Sequence, residues 1–529
     1  MDEKLQINLI QRTAVGDIFR RRAAISPNKR AMVEQRGNEY IEVTYKDFNN
    51  RLNKFVRAAR GLGLKKGARI ALLGLNSHEY LVALYGCAKG GFVAVPVNPG
   101  LNPKDIAYIL NHAEVGTIVV DDMLYPLIAA LKNDLPDIKY FISIQATGQS
   151  VPKPYTAFEA FLEDHSDEEI EDVIIDDRDV FEIIYTSGTT SAPKGVVISH
   201  LSVFIMSLTN SIELGMPIGC GTMAVLPFFH CAQQTFVLST LHLGGKIAIF
   251  RSFDPEKTLE TIVKEKPYMI FLLPIMYRAL LDHPKIKETD LTSIQRCVYA
   301  MTPMDQKTLE EGIKVFDADF LLGTGQTECF PSTNTFKPEW QLKKQGNYWG
   351  ESAVTLDTAI MDDKGNLLPP GEVGEIVWRG PGVMIGYLKN PEATQESRKY
   401  AWHHSGDLGV FDNDNLLSFV DRKKDMIKTG GENVPSIKVE RIILANDKVE
   451  SVAVVGLPHE RWIEAVTAFV VPKPGAQITE DEIIGECKKE LGGFEIPKKI
   501  VFVDDLPKTT TGKLQKNIIR DNNNTLYSS

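Results

Sequence analysis

A regular exchange of amphipathic stretches and apolar runs between Thr44 and Val120 constrains the fold more than any other feature of this chain. Phe48, Leu52, Phe55, Val56 and Ala59 recur at helical spacing, Thr44 and Asp47 can form a capping box ahead of them, and Gly61 and Gly63 supply a stop. The continuous apolar run Ile70 to Leu75 then predicts a buried strand. Ser77 to Ala88 predicts a helix, Phe92 to Val97 a strand, Pro103 to His112 a helix and Thr117 to Val120 a strand. Strands that are apolar on both faces and alternate with helices predict a doubly wound parallel sheet.

The stretch Thr147 to Thr156, rich in Gly, Ser and Pro, and the acidic stretch Glu163 to Glu171 read as a surface connection. A second α/β pattern follows Phe181 and runs to about Leu322, with strands predicted at Met223 to Leu226, Lys246 to Phe250 and Met269 to Leu273. After Gly346 the texture changes to short strands between turn signals such as Asp363-Lys364-Gly365-Asn366 and Asp412-Asn413-Asp414-Asn415, which predicts a small antiparallel or barrel-like unit. From about Asp425 a separate α+β piece begins, with strands at Val452 to Val455 and Ala465 to Val471. No repeat of solenoid period is present.

Bulk properties narrow the function classes. With 529 residues, 43% hydrophobic and 24% charged, the chain has the profile of a globular protein of several domains. Its formal net charge of -10 disfavours nucleic acid as a partner, because phosphate binding needs an excess of Lys and Arg. The longest apolar run, Tyr268 to Tyr277, contains Pro274 and falls well short of the ~20 residues that span a bilayer, so no integral membrane segment is expected. The start Met1-Asp2-Glu3-Lys4 lacks the features of a secretory signal and predicts a cytoplasmic location. Cys87, Cys220, Cys231, Cys297, Cys329 and Cys487 are scattered without a C-x-x-C pair, which argues against a zinc site or a disulfide framework.

The sharpest local signal is Tyr185-Thr186-Ser187-Gly188-Thr189-Thr190-Ser191-Ala192-Pro193-Lys194-Gly195, directly after the strand-like Phe181 to Ile184. Hydroxyls at Thr186, Ser187, Thr189 and Thr190, the bare backbone of Gly188 and the ammonium of Lys194 can together wrap a polyphosphate. A Walker loop is excluded, since it requires Gly before the lysine and Ser or Thr after it, where this chain has Pro193 and Gly195. Taken alone the segment also suits a Ser/Thr/Gly surface turn.

The rest of the chain decides between these. Leu226-Pro227-Phe228-Phe229-His230, Gly325-Gln326-Thr327-Glu328, Gly371-Glu372-Val373-Gly374-Glu375, Trp402-His403-His404-Ser405-Gly406-Asp407, Asp421-Arg422-Lys423-Lys424-Asp425 and Pro507-Lys508-Thr509-Thr510-Thr511-Gly512-Lys513 follow the phosphate loop in order. Over roughly residues 20 to 520 the chain resembles the adenylate-forming superfamily of acyl-CoA synthetases, adenylation domains and luciferases. The resemblance implies an α/β fold: a large N-terminal domain of two doubly wound α/β subdomains plus a small β-barrel, residues 1–423, and a mobile small α+β C-terminal domain, residues 424–529.

It also implies an AMP-forming synthesis of acyl-CoA from a small carboxylic acid, ATP and coenzyme A, with Mg²⁺. Lys513 would bridge the carboxylate and the α-phosphate, Thr327 would contact that phosphate, and Glu328 would hold Mg²⁺. Thr302, Thr324 and Gly325 would border the nucleotide, Asp407 would accept the ribose hydroxyls, and Arg422 would reach the same nucleotide. Lys424 would be the hinge about which the C-terminal domain turns, bringing Gly430 and Gly431 to line the pantetheine path. His230, Cys231, Gln233, Met301 and Phe330 would border the acyl group.

Three departures from the family pattern stand out, the first two bearing on the acid and the third on the thioester-forming surface. Met301 stands where a glycine is usual, Thr324 replaces an adenine-stacking aromatic residue, and Val434-Pro435-Ser436-Ile437-Lys438-Val439-Glu440 shifts the proline after the Gly-Gly pair. The methionine predicts a compact pocket, hence a medium-chain, branched, alicyclic or aromatic acid. A long-chain fatty acid, a different acyl acceptor and a catalytically silent nucleotide binder are the rival readings. Only sixteen residues follow Lys513, which favours a stand-alone CoA ligase over a carrier-protein system. Oligomeric state is left open, a homodimer being one option.

Overall fold

Strand Arg69–Leu73 lies at the centre of the first sheet, and its residues show why the chain needs two cores. Ile70 and Leu72 point into one apolar cluster while Ala71 and Leu73 point into another, as the two-residue period of a strand buried on both faces requires. Helix His78–Gly90, capped by the Ser77 hydroxyl accepting the Tyr80 N–H, packs on the first face with helix Tyr45–Gly61. Helix Pro103–His112 packs on the second through Ile106, Ile109 and Leu110. The Thr44 hydroxyl accepts the Asp47 N–H at 3.1 Å, so the predicted N-terminus of the first helix holds.

The computed structural model describes residues 2–37, 39–186, 193–300, 304–344, 346–508 and 514–527. Residues up to 186, 193–358 and 378–403 pack as one unit, and 359–377 with 404–527 as a second. In the first unit the eight-stranded sheet runs Gly386–Tyr387, Lys194–Ser199, Val180–Thr186, Val93–Val97, Arg69–Leu73, Thr117–Asp121, Tyr140–Ile144, Tyr155–Ala157. Its centre is parallel, with Ile70 level with Ala94 on one side and Thr117 on the other. The chain therefore reverses its direction of travel at Arg69–Leu73, and such a reversal opens a crevice at the carboxyl ends of the strands.

A second sheet in this unit carries strands Tyr348–Ser352, Asn334–Phe336, Asp319–Thr324, Arg296–Tyr299, Met269–Leu272, Thr222–Ala224, Ile247–Ile249, Arg30–Arg36 and Glu39–Thr44 in spatial order. Two of its features differ from the sequence expectation. Strand Val180–Thr186, read as the start of the second pattern, belongs to the first sheet beside Val93–Val97, while Arg30–Arg36 joins the second sheet next to Ile247–Ile249. The stretch read as a surface connection also contains an edge strand, Tyr155–Ala157, parallel to Tyr140–Ile144. Local patterning marks a strand but not its partner, which is chosen by burial between segments distant in sequence.

In the second unit, strands His403–Phe411 and Leu417–Arg422 form an antiparallel pair. The predicted turns are built by aspartates: Asp362 Oδ1 accepts the N–H groups of Lys364 and Asn366, and Asp412 Oδ1 those of Asp414 and Leu416. The C-terminal portion is the expected α+β arrangement. Val449–His459 and Ile463–Pro472 pair antiparallel, Lys499–Phe502 lies parallel to the latter, and helices Ser436–Leu444 and Glu480–Glu490 cover one face. Helix Lys516–Asn523 contributes Ile519 to a second apolar cluster. Among the described residues no helix is long and apolar enough to cross a membrane.

Candidate functional site

Strand Val180–Thr186 delivers the phosphate loop, and the chain returns along Lys194–Ser199 in antiparallel register, Thr186 opposite Lys194 and Tyr185 opposite Gly195. Both ends of the loop are thus pinned at adjacent positions of one ladder. Gly195 is a tight position, where a Cβ would lie 3.0 Å from both Ile183 and the Tyr185 ring and would have to push them aside. Strand Gly386–Tyr387 pairs with the outer edge of Lys194–Ser199, Tyr387 opposite Val196.

That pairing creates the clearest constellation in the unit. The Tyr387 ring lies 5.0 Å from the Lys194 ammonium, and its hydroxyl donates to Glu328 Oε1 at 2.9 Å. Burial, then the Glu328 carboxylate, push the phenol well above its usual range, so it stays a donor at any working pH. The Met384 N–H donates to the Glu328 carbonyl at 2.7 Å, fixing the backbone of the same residue. Lys194 and Glu328, singled out for opposite charges, therefore share one aromatic partner that the sequence reading missed. Nothing in the local pattern around Tyr387 announces it; only the strand pairing does.

Glu328 sits in the short 3₁₀ turn Thr327–Cys329, after which Phe330 takes a positive φ of 40°. A bulky residue in that region stores backbone strain. The Phe330 side chain is buried in the same apolar cluster as Phe228, Cys231 and Met384. Gly325 is a close-packed position, where an added Cβ would meet Pro331 at 2.8 Å. Thr324 directs its hydroxyl to the Asn334 carbonyl at 3.2 Å and offers no ring for stacking.

The His230 segment is held by amides. Asn76, just beyond the carboxyl end of Arg69–Leu73, donates to the Leu226 carbonyl at 2.8 Å and accepts the Phe228 N–H at 2.7 Å. Gln233 Oε1 accepts the Leu226 N–H at 3.0 Å, and Gln234 Nε2 donates to the Phe228 carbonyl at 2.8 Å. His230 caps helix Cys231–His242, its Nδ1 accepting the Ala232 N–H at 3.2 Å. A neutral ring therefore carries its proton on Nε2. The Cys231 thiol lies 3.5 Å from the Thr327 hydroxyl, and burial, only partly offset by that hydroxyl, pushes it up to about 12. It is a thiol at neutral pH and not a nucleophile. Asn76 was legible in principle, as a polar residue ending an apolar strand at the point of reversal.

In the second unit, Asp407 and Arg422 face each other directly across the strand pair, with Arg422 Nε 3.9 Å from Asp407 Oδ1. The Asp407 N–H donates to the Ser405 hydroxyl, which itself donates to the Ile376 carbonyl at 2.6 Å. Next to them, buried Asp421 accepts both the N–H and the hydroxyl of Ser436, and the Lys516 ammonium reaches that hydroxyl at 2.6 Å and Glu440 at 2.7 Å. Lys424 is exposed. Gly430 and Gly431 form the two-residue turn of a hairpin between Ile427–Thr429 and Glu432–Val434, with φ of 60° and 91°. Positive φ at both positions is what such a turn demands, so hairpin geometry alone accounts for two glycines here. The Gly430 N–H donates to the Trp462 carbonyl at 2.7 Å, and a Cβ on Gly430 would lie 3.2 Å from that indole.

Lys513, Ser187, Gly188, Thr189, Thr190, Met301 and Thr302 lie outside the described residues. Of the remaining candidates, the structure brings Lys194 and Glu328 to Tyr387, Cys231 to Thr327, and Asp407 to Arg422.

A strand-flanked loop with a lysine and a carboxylate beside it, on a doubly wound sheet, defines a nucleotide-handling α/β protein. Residues 19–388 match the family described as AMP-binding enzyme, and residues 438–513 match its C-terminal domain. The chain belongs to this family of AMP-binding enzymes, within the adenylate-forming superfamily. A feruloyl-CoA synthase of an Amycolatopsis species is 32% identical over 505 residues, spanning 94% of this chain and 97% of that protein. A long-chain-fatty-acid–CoA ligase of Mycobacterium tuberculosis is 29% identical over 513 residues, spanning 96% and 98%. The solved structure of ATP-bound MatB from Rhodopseudomonas palustris is similar with a TM-score of 0.86 at 27% identity, covering 97% of this chain and all of that one.

Proposed function

We infer that this chain is an AMP-forming acyl-CoA synthetase, an acid–thiol ligase that converts a carboxylate and ATP to an acyl-adenylate and pyrophosphate, then passes the acyl group to coenzyme A. The observation that carries the reading is the meeting of Lys194 and Glu328 at Tyr387, where Lys194 pairs with Thr186 at the ends of the two strands that flank the hydroxyl-rich segment in sequence. Full-length likeness to named CoA ligases supports it.

In the first half-reaction a carboxylate oxygen attacks the α-phosphorus of ATP and pyrophosphate leaves. Two anions must meet, so cations positioned beforehand lower the barrier most. Lys194 neutralises the departing phosphates, Thr327 donates to the α-phosphate, and Lys513 bridges the carboxylate and phosphate oxygens. Asp407 accepts the ribose hydroxyls and Arg422, its cross-strand partner, reaches the same sugar. Glu328 would hold Mg²⁺: a single half-buried carboxylate oriented by a hydroxyl fits an ion bound through one carboxylate together with phosphate oxygens and water. When present, the ion neutralises charge on those oxygens. The buried group Glu34, His78 and Glu79 could also hold a metal by its donor spacing, but the Arg36 guanidinium already bonds both carboxylates.

In the second half-reaction the CoA sulfur attacks the acyl carbon and AMP leaves. We assign residues 424–529 as the segment that exchanges between the two steps about Lys424, with Gly430 and Gly431 beside the pantetheine arm and His230 between the acyl and nucleotide sites. A compact pocket bordered by Cys231, Gln233, Met301 and Phe330 suits a medium-chain, branched, alicyclic or aromatic acid, in keeping with a relative named for a feruloyl group. A long-chain acid is the rival, favoured by the mycobacterial relative. Acid-dependent conversion of ATP to AMP over a panel of carboxylates, with and without CoA, tests the reading. The expected result is pyrophosphate release with acid alone and a thioester only with CoA; release that ignores the acid would overturn it.

A further inference from the structure

The strand that delivers the phosphate loop carries a glutamate that the chemistry above does not use. Glu182 is fully buried, level with Ala94 and Ile198 on the neighbouring strands. Neither of its carboxylate oxygens has a hydrogen-bond partner among the described residues. Its polar neighbour is the Gln234 amide from helix Cys231–His242, and the titratable groups near enough to feel its charge are the Cys231 thiol of the same helix and the phenols of Tyr80 and Tyr85 from helix His78–Gly90. Gln234 Oε1 and both phenol oxygens are likewise buried without partners, and no cation bears on the site, among the described residues.

An ionised carboxylate here would be an uncompensated charge in an apolar core, which folding avoids by keeping the group neutral. A neutral acid also supplies what the cluster lacks. Gln234 Nε2 gives one of its two N–H groups to the Phe228 carbonyl while its buried Oε1 lacks a donor, and the acid O–H on strand Val180–Thr186 can supply one.

We propose that Glu182 is a positioning residue for the acyl site: as a neutral acid it donates to Gln234 Oε1, which keeps Gln234 Nε2 on the Phe228 carbonyl and holds the Leu226–His230 turn in one shape. Burial pushes this carboxyl up to about 8, outweighing the hydrogen bond that a turned Gln234 amide could donate to the ionised form. Loss of the proton to solvent above that pH replaces a donor by an acceptor, turns the amide, and releases the Phe228 carbonyl. Tyr80, Tyr85 and Cys231, the other titratable groups near enough to feel its charge, are all pushed upward by burial and remain protonated there. The catalytic consequence rests on the synthetase reading, whereas the protonation state does not.

The full-length protein tests both. Infrared difference spectra of the wild type against Glu182→Gln should show a protonated carboxylic acid band that the variant lacks and that fades as pH rises through about 8. With an acid that supports thioester formation, Glu182→Ala should lower kcat/KM for that acid roughly tenfold to a hundredfold. Glu182→Gln should restore most of the loss and remove the alkaline limb of the wild-type profile. A missing band at neutral pH, or an unchanged alkaline limb in Glu182→Gln, overturns the proposal, even if the alanine variant does not fold. Absence of any thioester from the wild type overturns the synthetase reading instead and leaves the infrared result to decide on Glu182.

Discussion

The Tyr387 hydroxyl donates to Glu328 at 2.9 Å while the same ring lies 5.0 Å from the Lys194 ammonium, so one side chain ties together the two charges assigned to the phosphates. A group that orients a metal-binding carboxylate is worth roughly ten- to a hundredfold in metal affinity. Tyr387→Phe should therefore raise the Mg²⁺ concentration needed for half-maximal pyrophosphate release by about tenfold. Glu328→Gln should raise it further. A magnesium titration of the acid-dependent reaction checks both, and an unchanged titration in both variants would remove Glu328 from its assigned place.

The two half-reactions should separate by mutation. Proline at 424 restricts the backbone at the proposed hinge, and alanine at 431 forces a side chain onto a backbone with φ of 91°. Lys424→Pro and Gly431→Ala should each keep acid-dependent pyrophosphate release within about threefold and lower thioester formation by more than roughly tenfold. Trapping the acyl-adenylate and then adding CoA measures the second step alone. Equal loss in both steps would argue for misfolding of the hairpin rather than a role in thioester formation.

Away from the site, Arg36 bonds Glu34 Oε1 at 2.7 Å and Glu79 Oε2 at 2.8 Å in a largely buried network that also includes His78. Arg36→Met leaves two buried carboxylates without their cation and should destabilise the fold by about 3–5 kcal/mol. Burial raises the Glu79 carboxyl, but the Arg36 and His78 contacts outweigh it and hold the group at about 2. Because the folded value lies below the ordinary 4.5, this contribution is complete above 4.5 and is lost as pH falls towards 2. Urea denaturation from neutral pH downwards should show that loss in the wild type and a shallower dependence in Arg36→Met.

Acyl length should respond to Met301. If its side chain limits the pocket, Met301→Gly should improve kcat/KM for a sixteen-carbon acid by roughly tenfold while weakening short or aromatic acids. A competition assay with paired acids reads the ratio directly. Preference of the wild type for the long acid would sink the compact-pocket assignment.

Much of the first sheet was legible because its strands are buried on both faces and its helices carry their own caps, as at Thr44 and Ser77. Partner choice was not: Val180–Thr186 and Arg30–Arg36 each pair with strands far away in sequence, and neither pattern records that. At the site, Asp407 and Arg422 were recognisable only as separate motif residues; their opposition across a strand pair emerges from register. Tyr387 was invisible because its importance comes from an edge pairing of two residues with Lys194–Ser199. The Gly430–Gly431 pair shows the reverse case, where a sequence signal has a sufficient local cause in its hairpin turn.

The most direct test is the half-reaction of Lys513→Ala in the presence of ATP, Mg²⁺ and a competent acid, followed by acyl-adenylate formation in a single turnover. The charge that lets two anions meet is assigned to this lysine, and removing such a group lowers a rate by roughly a hundredfold or more. The expected result is loss of acyl-adenylate synthesis with thioester formation from supplied acyl-adenylate preserved. Undiminished acyl-adenylate synthesis by the variant would contradict the mechanism.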